Sequence, residues 1–363
     1  MSKATRARIL RRSGEESSEW GWPFSLSMIT AGLRRHLSDT SVQVEDVVGF
    51  PLPHRRPSIG RIRGLHVSYA SREGRGSVRL VLKEPLGTTR AGLAGAGRRE
   101  VGVYQSLASH LPLRTPALIA GSNFGDWLIM ELIPGGIEPE EWSSEDYLQA
   151  IEGLAGLHDR FWNLGQDLDA FAWLSRPQDI DFEVHLTAAR QALERLESAG
   201  RPAALIEDAG RMLLLETLIR RAEDIVALLQ EEPATLLHGD YWPGNIVAGQ
   251  DGGQVVFDWQ LAAVGPGVLD LLTFVVKSEW WFEDLPLDPP TMIQTYRDLI
   301  KQKTGVSWSE LAWKQLWDHA LMWRFLQEWL DLIAATPEPL LATRAQQLER
   351  IWLGPLGQAL DRL

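Results

Sequence analysis

A short segment near residue 240 combines the residue types that bind metal ions and accept protons. It contains His238-Gly239-Asp240 and reaches Asn245 five residues after the aspartate, with a Pro-Gly turn between them. A second carboxylate, Asp258, follows the apolar run Val255-Val256-Phe257. Carboxylate and amide oxygens are ligands that Mg²⁺ prefers, and a carboxylate can also accept a proton from an attacking hydroxyl. We therefore predict a combined metal and acid–base site here.

The local pattern predicts how these groups are brought together. Ile246-Val247-Ala248 and Val255-Val256-Phe257 flank Gly249-Gln-Asp-Gly-Gly253, which is a β-hairpin signature. One strand begins directly after Asn245 and the return strand ends at Asp258, so both side chains are expected at the same edge. In phosphoryl transfer the protein mainly positions groups and stabilises charge. Three oxygen ligands on rigid strand ends suit that reaction.

The rest of the chain predicts an α+β fold with a β-rich N-terminal lobe and a mainly helical C-terminal lobe. Strands are expected at 42–52, 59–70, 77–82, 117–122 and 127–132, with one helix near 98–110. Pro134-Gly135-Gly136 is predicted to be a hinge. Later helices are expected at 143–162, 182–199, 202–230, 290–304, 309–334 and 339–362. We place the N-lobe at 1–133 and the C-lobe at 134–363.

The motif resembles the catalytic loop and metal-binding pair of the protein-kinase-like superfamily. His238-Gly239-Asp240 with Asn245 and then Asp258 carries the match, and its middle glycine is typical of the aminoglycoside phosphotransferase and choline-kinase branch. The resemblance implies a two-lobed kinase-like fold in which Asp240 accepts or orients the proton of the substrate hydroxyl. It also implies that Asn245 and Asp258 hold Mg²⁺, with ATP or GTP as the phosphate donor.

Two further residues extend the resemblance toward the N-terminus. Lys83 ends the apolar strand Val78-Arg-Leu-Val-Leu-Lys83, and Glu100 opens a helix seventeen residues later. In the superfamily such a lysine contacts the α and β phosphates and is held by a helix glutamate. The alternatives are an exposed lysine at a strand end and an ordinary acidic residue at a helix N-terminus.

Two residues are expected to support the site. Asp270, in Gly265-Pro-Gly-Val-Leu-Asp-Leu271, resembles the helix-start aspartate that braces the catalytic loop in the family. His238 is expected to pack or hydrogen-bond beneath the loop. A general base paired with an aspartate is the alternative role for this histidine.

The segment Leu128-Ile-Met-Glu-Leu-Ile-Pro-Gly135 resembles the strand-to-hinge passage whose backbone binds the purine. The relevant groups would be main-chain atoms near Glu131 and Ile133. Because side chains need not contact the base, this passage does not distinguish ATP from GTP.

The predicted phosphate-binding loop departs from the protein-kinase pattern. Residues 50–60 lack the glycine-rich motif and instead contain prolines and two arginines. Our hypothesis is that Ser58, with Arg55 or Arg56, contacts the phosphates. A solvent-exposed basic turn is the alternative.

The acceptor is expected against the C-lobe near Asp240. The chain has 16 tryptophans, and several lie close to carboxylates, in Ser278-Glu-Trp-Trp-Phe-Glu-Asp284 and among Trp313, Trp317, Trp323, Glu328 and Trp329. Aromatic faces with carboxylates suit a cationic ligand such as an aminoglycoside or a choline-like compound. The alternative is that these tryptophans belong to the core. Leu154–Trp162 and Asp258-Trp-Gln260 resemble ecdysteroid-kinase-like members, which implies a bulky neutral alcohol as an alternative acceptor.

Composition and charge argue against several other classes of protein. The net charge of −12 argues against nonspecific nucleic-acid binding, although residues 1–132 carry 19 Lys and Arg against 11 Asp and Glu. No apolar run is long enough to span a membrane, and no secretory signal is evident. The chain has no cysteine and therefore no disulfide or thiolate metal site. We expect a cytoplasmic protein whose partners are a nucleotide and a small-molecule acceptor, with no obligate protein partner evident.

Two other kinase-like classes compete with a small-molecule kinase. A protein kinase would need a peptide-docking segment after Asp258, but only a short passage leads from Gln260 into the next helix. A non-catalytic nucleotide-binding pseudokinase usually lacks one of four residues, namely the lysine, the loop aspartate, the asparagine or the metal-binding aspartate. All four are present here, as Lys83, Asp240, Asn245 and Asp258. We therefore predict a phosphotransferase with an alcohol group as acceptor.

Overall fold

The computed structural model describes residues 21–52, 60–85, 93–199, 208–250 and 252–363, and the chain divides by packing into two compact units. The first contains Met1–Lys83, Ala117–Gly121 and Trp127–Leu132, and the second contains the remaining residues. A sheet dominates the first unit and helices dominate the second, which confirms the α+β class. The lobe boundary at residue 133 stays a prediction.

In its described residues, the first unit is a five-stranded antiparallel sheet with one helix. Its elements are α1 (Leu26–His36), β1 (Gln43–Phe50), β2 (Gly60–Ser71), β3 (Gly74–Pro85, whose last two residues belong to the second unit), β4 (Leu118–Gly121) and β5 (Leu128–Glu131). The strand order is β1-β2-β3-β5-β4, and β3 pairs antiparallel with β5. The five predicted strands are thereby confirmed, with shifts of a few residues at their ends.

The core of this unit lies between α1 and the sheet. Apolar side chains alternate along the strands, as Leu80 and Leu82 do, and both are fully buried. Helix α1 approaches β4 so closely that a Cβ atom on Gly32 would lie 1.9 Å from the Ile119 carbonyl oxygen. Only glycine permits this approach, so Gly32 sets how deeply the helix packs.

The second unit is mainly helical and includes two small antiparallel ladders. Among the described residues, its α-helices are α2 (Ala96–Gly102), α3 (Ser144–Arg160), α4 (Phe182–Ala199), α5 (Ala209–Arg220), α6 (Ala222–Glu231), α7 (Val268–Trp281), α8 (Pro289–Thr304), α9 (Glu310–Arg324), α10 (Leu330–Ala335), α11 (Glu338–Ala342), α12 (Ala345–Leu348) and α13 (Gly354–Leu360). Its strands are β6 (Ala234–Leu237), β7 (Ile246–Ala248), β8 (Gln254–Val256) and β9 (Ala263–Pro266), paired as β6 with β9 and β7 with β8.

Helix boundaries follow local sequence signals. The Ser143 side chain accepts a hydrogen bond from the Asp146 backbone N–H, and the Asp146 carboxylate accepts one from Ser143, which forms a capping box at the start of α3. The predicted helix at 182–199 matches α4. Residues 202–207 of the helix predicted at 202–230 lie outside the described residues, and the remainder is interrupted at Arg221, which follows α5 and precedes α6. In the described part of the chain, no helix is long and apolar enough to cross a membrane.

Three predicted helices contain π-helical turns in the described residues. After Gly102, α2 continues as a π turn at Val103–Leu107 and a short 3₁₀ turn at Ala108–His110. Helix α9 likewise passes into a π turn at Phe325–Trp329 before α10 begins. Helix α12 passes into a π turn at Glu349–Leu353 before α13 begins. The predictions of continuous helices at 98–110, 309–334 and 339–362 were therefore wrong in local geometry, because an apolar period near 3.6 does not reveal one wider turn.

Candidate active site

The segment between β6 and β7, residues 238–245, forms a loop whose start requires a glycine. Strand β6 ends at Leu237, which pairs with Ala263 of β9, and Gly239 follows with φ of +81°. A Cβ atom on Gly239 would lie 1.9 Å from the Leu261 carbonyl oxygen. The positive φ and this close approach both exclude larger side chains without local rearrangement.

Three buried side chains, which we call the brace, hold this loop from the interior. The carboxylate of Asp270, in the first turn of α7, accepts hydrogen bonds from the backbone N–H groups of His238 at 2.7 Å and Gly239 at 2.9 Å. His158 lies behind it, with Nε2 at 3.5 Å from Asp270 Oδ2 and Nδ1 at 2.7 Å from the Tyr296 hydroxyl. The brace is therefore Asp270, His158 and Tyr296, all buried.

The brace stabilises the ionised form of its aspartate. Burial alone would raise the pKa of Asp270, but the hydrogen bond from His158 and the nearby positive charges outweigh burial and lower it. An ionised carboxylate can accept both backbone hydrogen bonds at once, which fixes the two residues that precede Asp240.

His238 links the loop to the strand that carries Asp258. Its Nδ1 accepts a hydrogen bond from the Asp240 backbone N–H at 3.2 Å, and its Nε2 lies 3.0 Å from the Phe257 carbonyl oxygen. One accepting and one donating nitrogen define a neutral ring. Burial lowers the pKa of His238, which favours the same neutral form. Both ring nitrogens contact backbone atoms, and the supporting role of His238 stays a prediction.

Asp240 and Asn245 lie in direct contact across the loop. The Asn245 side-chain Nδ2 donates to Asp240 Oδ2 and to the Asp240 carbonyl oxygen, each at 2.9 Å. The turn between them contains a short 3₁₀ helix, Pro243–Asn245, in which the Asn245 backbone N–H donates to the Trp242 carbonyl oxygen at 2.9 Å. The loop thus presents a carboxylate and an amide oxygen side by side.

The hairpin brings Asp258 to the same end as Asn245. Ile246 pairs with Val256 in the β7–β8 ladder, and the Phe257 N–H donates to the Asn245 carbonyl oxygen at 3.1 Å. Asp258 follows directly, with φ of +67° and ψ of +55°. A left-handed aspartate costs on the order of 1 kcal/mol and persists where the surroundings require it. The hairpin therefore brings the backbone of Asp258 close to that of Asn245, and the metal-binding role of the two side chains stays a prediction.

An arginine that the sequence analysis did not single out secures the segment after Asp258. Arg99 of α2 donates through Nε to the Gln260 carbonyl oxygen at 2.8 Å and through Nη1 to the Ala94 carbonyl oxygen at 2.7 Å. Burial lowers the pKa of Arg99 to about 10, still far above neutral pH. The neighbouring Glu100, predicted as a nucleotide-site residue, is fully buried.

Asp240 and three other charged side chains form a second group, which we call the charge cluster. Lys277 of α7 contacts Asp240 Oδ1 through Nζ, and the same Nζ lies 2.9 Å from Glu328 Oε1. Arg324, at the end of α9, donates to the Gly239 carbonyl oxygen and lies 3.2 Å from Glu328 Oε2. The charge cluster is Asp240, Lys277, Glu328 and Arg324.

The sequence analysis missed both cations of the charge cluster. One usable signal was the spacing of Lys277, which lies seven residues after Asp270 and so on the same face of one helix. Burial would lower the pKa of Lys277, but the charges of Asp240 and Glu328 outweigh burial and raise it. This lysine is therefore protonated at neutral pH.

The other residues predicted for the nucleotide site are Lys83, Glu131, Ile133 and Ser58. Lys83 is buried in β3, where its backbone pairs with Leu128 of β5. The Glu131 carboxylate accepts a hydrogen bond from the Ala117 N–H at 3.2 Å, so this side chain joins two strands. Ile133 follows β5 and belongs to the second unit. Ser58, like Arg55 and Arg56, lies outside the described residues.

The tryptophans that suggested a cationic ligand are mostly core residues. Trp280, Trp313, Trp323 and Trp329 are buried, whereas Trp281 is 38% exposed. Some of their faces are covered by the chain's own arginines. The Arg344 guanidinium lies 5.0 Å from the Trp281 ring centroid and 5.4 Å from that of Trp280, and Arg297 lies 5.1 Å from that of Trp313.

The sequence and fold were compared with known proteins. Residues 64–298 match the model of the APH phosphotransferase enzyme family, which is more than half of the 363-residue chain. No curated protein sequence matches significantly. Among solved structures, the streptomycin–ATP–APH(2″)-IIa ternary complex is 17% identical, with 90% of this chain and 98% of that chain covered and a TM-score of 0.48.

Two further solved structures show similar values. Amicoumacin kinase hAmiN in complex with AMP-PNP, Ca²⁺ and Ami is 14% identical, with 100% of this chain and 96% of that chain covered and a TM-score of 0.49. Choline kinase LicA from Streptococcus pneumoniae is 12% identical, with 93% and 99% covered and a TM-score of 0.48. By the extent of the family match, the chain belongs to the phosphotransferase enzyme family and is an enzyme that phosphorylates a hydroxyl group of a small molecule.

Proposed function

We propose that this enzyme transfers the γ-phosphate of ATP to the acceptor hydroxyl, with Asp240 as the catalytic carboxylate and Asn245 and Asp258 as the Mg²⁺ ligands. The observation that carries the proposal is the meeting of these residues around one short hairpin. Asn245 donates to Asp240 at 2.9 Å, and the residue before Asp258 hydrogen-bonds to the Asn245 backbone.

The donor set fits a magnesium ion that also binds phosphate. Within the described ranges, no group of three or more His, Cys, Asp or Glu side chains forms an all-protein metal site. Mg²⁺ at phosphotransfer sites needs only one or two carboxylates, because substrate phosphates and water complete its shell. Asn245 uses Nδ2 toward Asp240 and therefore offers Oδ1, while Asp258 offers a carboxylate. When bound, the ion neutralises charge on the transferred phosphoryl group.

Asp240 would position the attacking oxygen. Its carboxylate is held by Asn245 through Oδ2 and by Lys277 through Oδ1, so its orientation is set before substrate binds. Each carboxylate oxygen has a second lone pair, which can accept a hydrogen bond from the hydroxyl group of the substrate. Such pre-organisation lowers the barrier because no reorientation is needed during the reaction.

The nucleotide would be held by residues of both predicted lobes. We propose that Lys83 contacts the α and β phosphates and that Glu100 orients this lysine. Both side chains are buried, and a buried charge requires a charged or hydrogen-bonding partner. Main-chain atoms near Glu131 and Ile133 would contact the base. The Glu131 carboxylate accepts a hydrogen bond from the Ala117 N–H, so this side chain gives no reason to prefer ATP over GTP. Both nucleotides therefore need testing.

The proposal is tested by nucleotide consumption with purified protein, Mg²⁺ and either ATP or GTP. The acceptor panel would contain aminoglycosides, macrolides, choline, amino sugars and sterols, and Asp240→Asn would serve as the blank. We expect one acceptor class to stimulate consumption by the wild type and not by the variant. Nucleotide binding without stimulated turnover on a broad panel would favour the pseudokinase alternative, and lack of nucleotide binding would refute the proposal.

A further inference from the structure

Lys277 occupies an unusual position for a lysine, because it is nearly buried beside the proposed catalytic carboxylate. Its side chain is 12% exposed, and its Nζ contacts Asp240 Oδ1 and Glu328 Oε1 together. Burying an ammonium group is costly unless it is paired with carboxylates and hydrogen-bonded. The two carboxylates supply that pairing, so the lysine is bound in the way that a ligand ammonium would be bound.

The surrounding charges are balanced without any ligand. Arg324 approaches Glu328 Oε2 at 3.2 Å, donates through Nε to the Thr273 hydroxyl at 2.9 Å and contacts the Gly239 carbonyl oxygen. The charge cluster therefore contains two carboxylates and two cations from the loop, α7, the end of α9 and the following π turn. Within the charge cluster, a second ammonium brought to Asp240 would meet Lys277 and would find no unbalanced negative charge.

The acceptor oxygen must lie close to this lysine. A hydroxyl that donates to Asp240 lies within hydrogen-bonding distance of its carboxylate, and Lys277 Nζ contacts the same carboxylate. A positive group on the acceptor next to its reacting hydroxyl would consequently fall within a few ångströms of Nζ. The tryptophan faces at Trp280, Trp281 and Trp313 offer little compensation, because Arg344 and Arg297 already lie over them.

We propose that Lys277 is a built-in counterion that positions Asp240 and takes the place of a substrate ammonium, so the acceptor carries no cationic group beside the hydroxyl that is phosphorylated. The acceptor part of this inference rests on the proposed function. Lys277 is thus a positioning and specificity-determining residue. The acceptor is an alcohol that is uncharged around its reacting hydroxyl.

The first experiment uses methylammonium as a replacement for the lysine head group. Lys277→Ala leaves two carboxylates with one cation and opens space for a small ammonium ion. Thermal unfolding would be measured for the wild type and the variant in methylammonium chloride and in sodium chloride at equal ionic strength. We expect the variant to melt at a lower temperature in sodium chloride and to regain at least half of the loss in methylammonium chloride.

The controls separate a specific site from a general salt effect. Lys314→Ala removes an exposed lysine from α9 and should respond to the two salts as the wild type does. Lys277→Met, which keeps the apolar stem, serves if the alanine variant does not fold, and should fail to respond because the methionine fills the space. Equal responses of Lys277→Ala and wild type to methylammonium would overturn the counterion assignment.

The second experiment measures activity with matched pairs of acceptors that differ in one cationic group. Choline and its uncharged isostere 3,3-dimethylbutan-1-ol form one pair, and glucosamine and glucose form another. We expect the wild type to favour the neutral member in kcat/KM. Lys277→Ala should lose roughly tenfold to a hundredfold in kcat, the range expected when a catalytic group is misplaced by about 1 Å, and methylammonium should restore part of it.

The outcomes distinguish the two proposals. Faster turnover of the cationic member by the wild type would overturn the acceptor inference while leaving the phosphotransferase proposal intact. Absence of acceptor-stimulated turnover, with methylammonium still stabilising Lys277→Ala, would count against the proposed function and its acceptor inference while supporting the counterion assignment.

Discussion

The brace and the charge cluster hold the same loop by different physical means. In the brace, Asp270 and His158 are 1% and 0% exposed, and the aspartate accepts from backbone N–H groups. In the charge cluster, Asp240, Lys277 and Glu328 are 12 to 15% exposed and pair mainly through side chains. Backbone hydrogen bonds fix the path of the chain, whereas side-chain ion pairs near solvent can exchange partners when a ligand arrives.

This difference predicts a separation of effects. Changes in the brace should alter the free energy of unfolding, because they leave buried backbone donors unpaired. Changes to Asp240 or Lys277 in the charge cluster should alter turnover more than stability, because these two side chains pair with other side chains rather than with buried backbone donors. Arg324 is the exception, since it contacts the Gly239 carbonyl oxygen. The predictions for Asp240, Asp270 and Tyr296 test that separation, and each result would weaken it if turnover and stability changed together.

The largest effect is expected for Asp240→Asn. The amide cannot accept the hydroxyl proton, so kcat should fall by about 10³-fold, within the range for loss of a general base. Nucleotide affinity should change little, because Asp240 acts mainly at the transition state. Turnover with the acceptor identified in the panel and nucleotide binding by calorimetry would be measured. Retention of most of the activity would contradict the assignment.

In the brace, Asp270→Asn should lower the free energy of unfolding by about 3 to 5 kcal/mol, as expected when a buried charged partner is removed. The amide retains one acceptor oxygen for two backbone donors, His238 N–H and Gly239 N–H. Chemical denaturation followed by tryptophan fluorescence would measure the change. An unfolding midpoint equal to that of the wild type would show that the brace does not fix the loop.

Stability is also expected to fall between about pH 6.5 and pH 4. Burial lowers the pKa of His185 to about 4 and also lowers that of His238, so the unfolded chain binds protons in this range that the folded chain does not. The contribution of these two neutral histidines to stability is therefore fully present above the histidine pKa of the unfolded chain, and it is lost as the pH falls. His185 alone would contribute up to about 3 kcal/mol at pH 4.

His185→Phe provides the test of that pH dependence. The variant should show a smaller change in denaturation midpoint between pH 7 and pH 4.5 than the wild type does. An unchanged pH profile would show that His185 is not the titrating group.

The smallest effect is expected for Tyr296→Phe. The change removes the hydroxyl that lies 2.7 Å from His158 Nδ1 and leaves the ring in place. The free energy of unfolding should fall by about 1 kcal/mol, the usual contribution of one hydrogen bond. Turnover per folded molecule should be unchanged, and a selective loss of kcat would show that the brace also acts in catalysis.

Local patterns predicted the hairpin next to the candidate site and the start of one helix. The hairpin between Asn245 and Asp258 follows from two short β-branched runs around a glycine-rich turn, and the capped start of α3 follows from Ser143 and Asp146. In each case the residues that decide the structure are close in sequence. Spacing alone therefore indicated the local structure that carries Asn245 and Asp258, whereas their roles stay predictions.

Long-range partners could not be predicted in this way. Lys277 lies 37 residues from Asp240, and Arg324 lies 85 residues from Gly239, so their contacts depend on how α7 and α9 pack. Strand β9 was not predicted, because Ala263–Pro266 is only four residues long and gains its structure by pairing with β6. The tryptophans suggested a ligand cage, but most are buried by packing that the sequence does not specify.

The π turn at Phe325–Trp329 makes this part of the chain sensitive to its exact number of residues. A π turn is wider than an α turn and accommodates one additional residue within a helix. Deleting one residue between Arg324 and Glu328 would favour regular α-helical hydrogen bonding and rotate the following residues by about 100°. Either Arg324 or Glu328 would then leave the charge cluster. Single-residue insertions and deletions are thus expected to be tolerated far less here than in the exposed turns of the same unit.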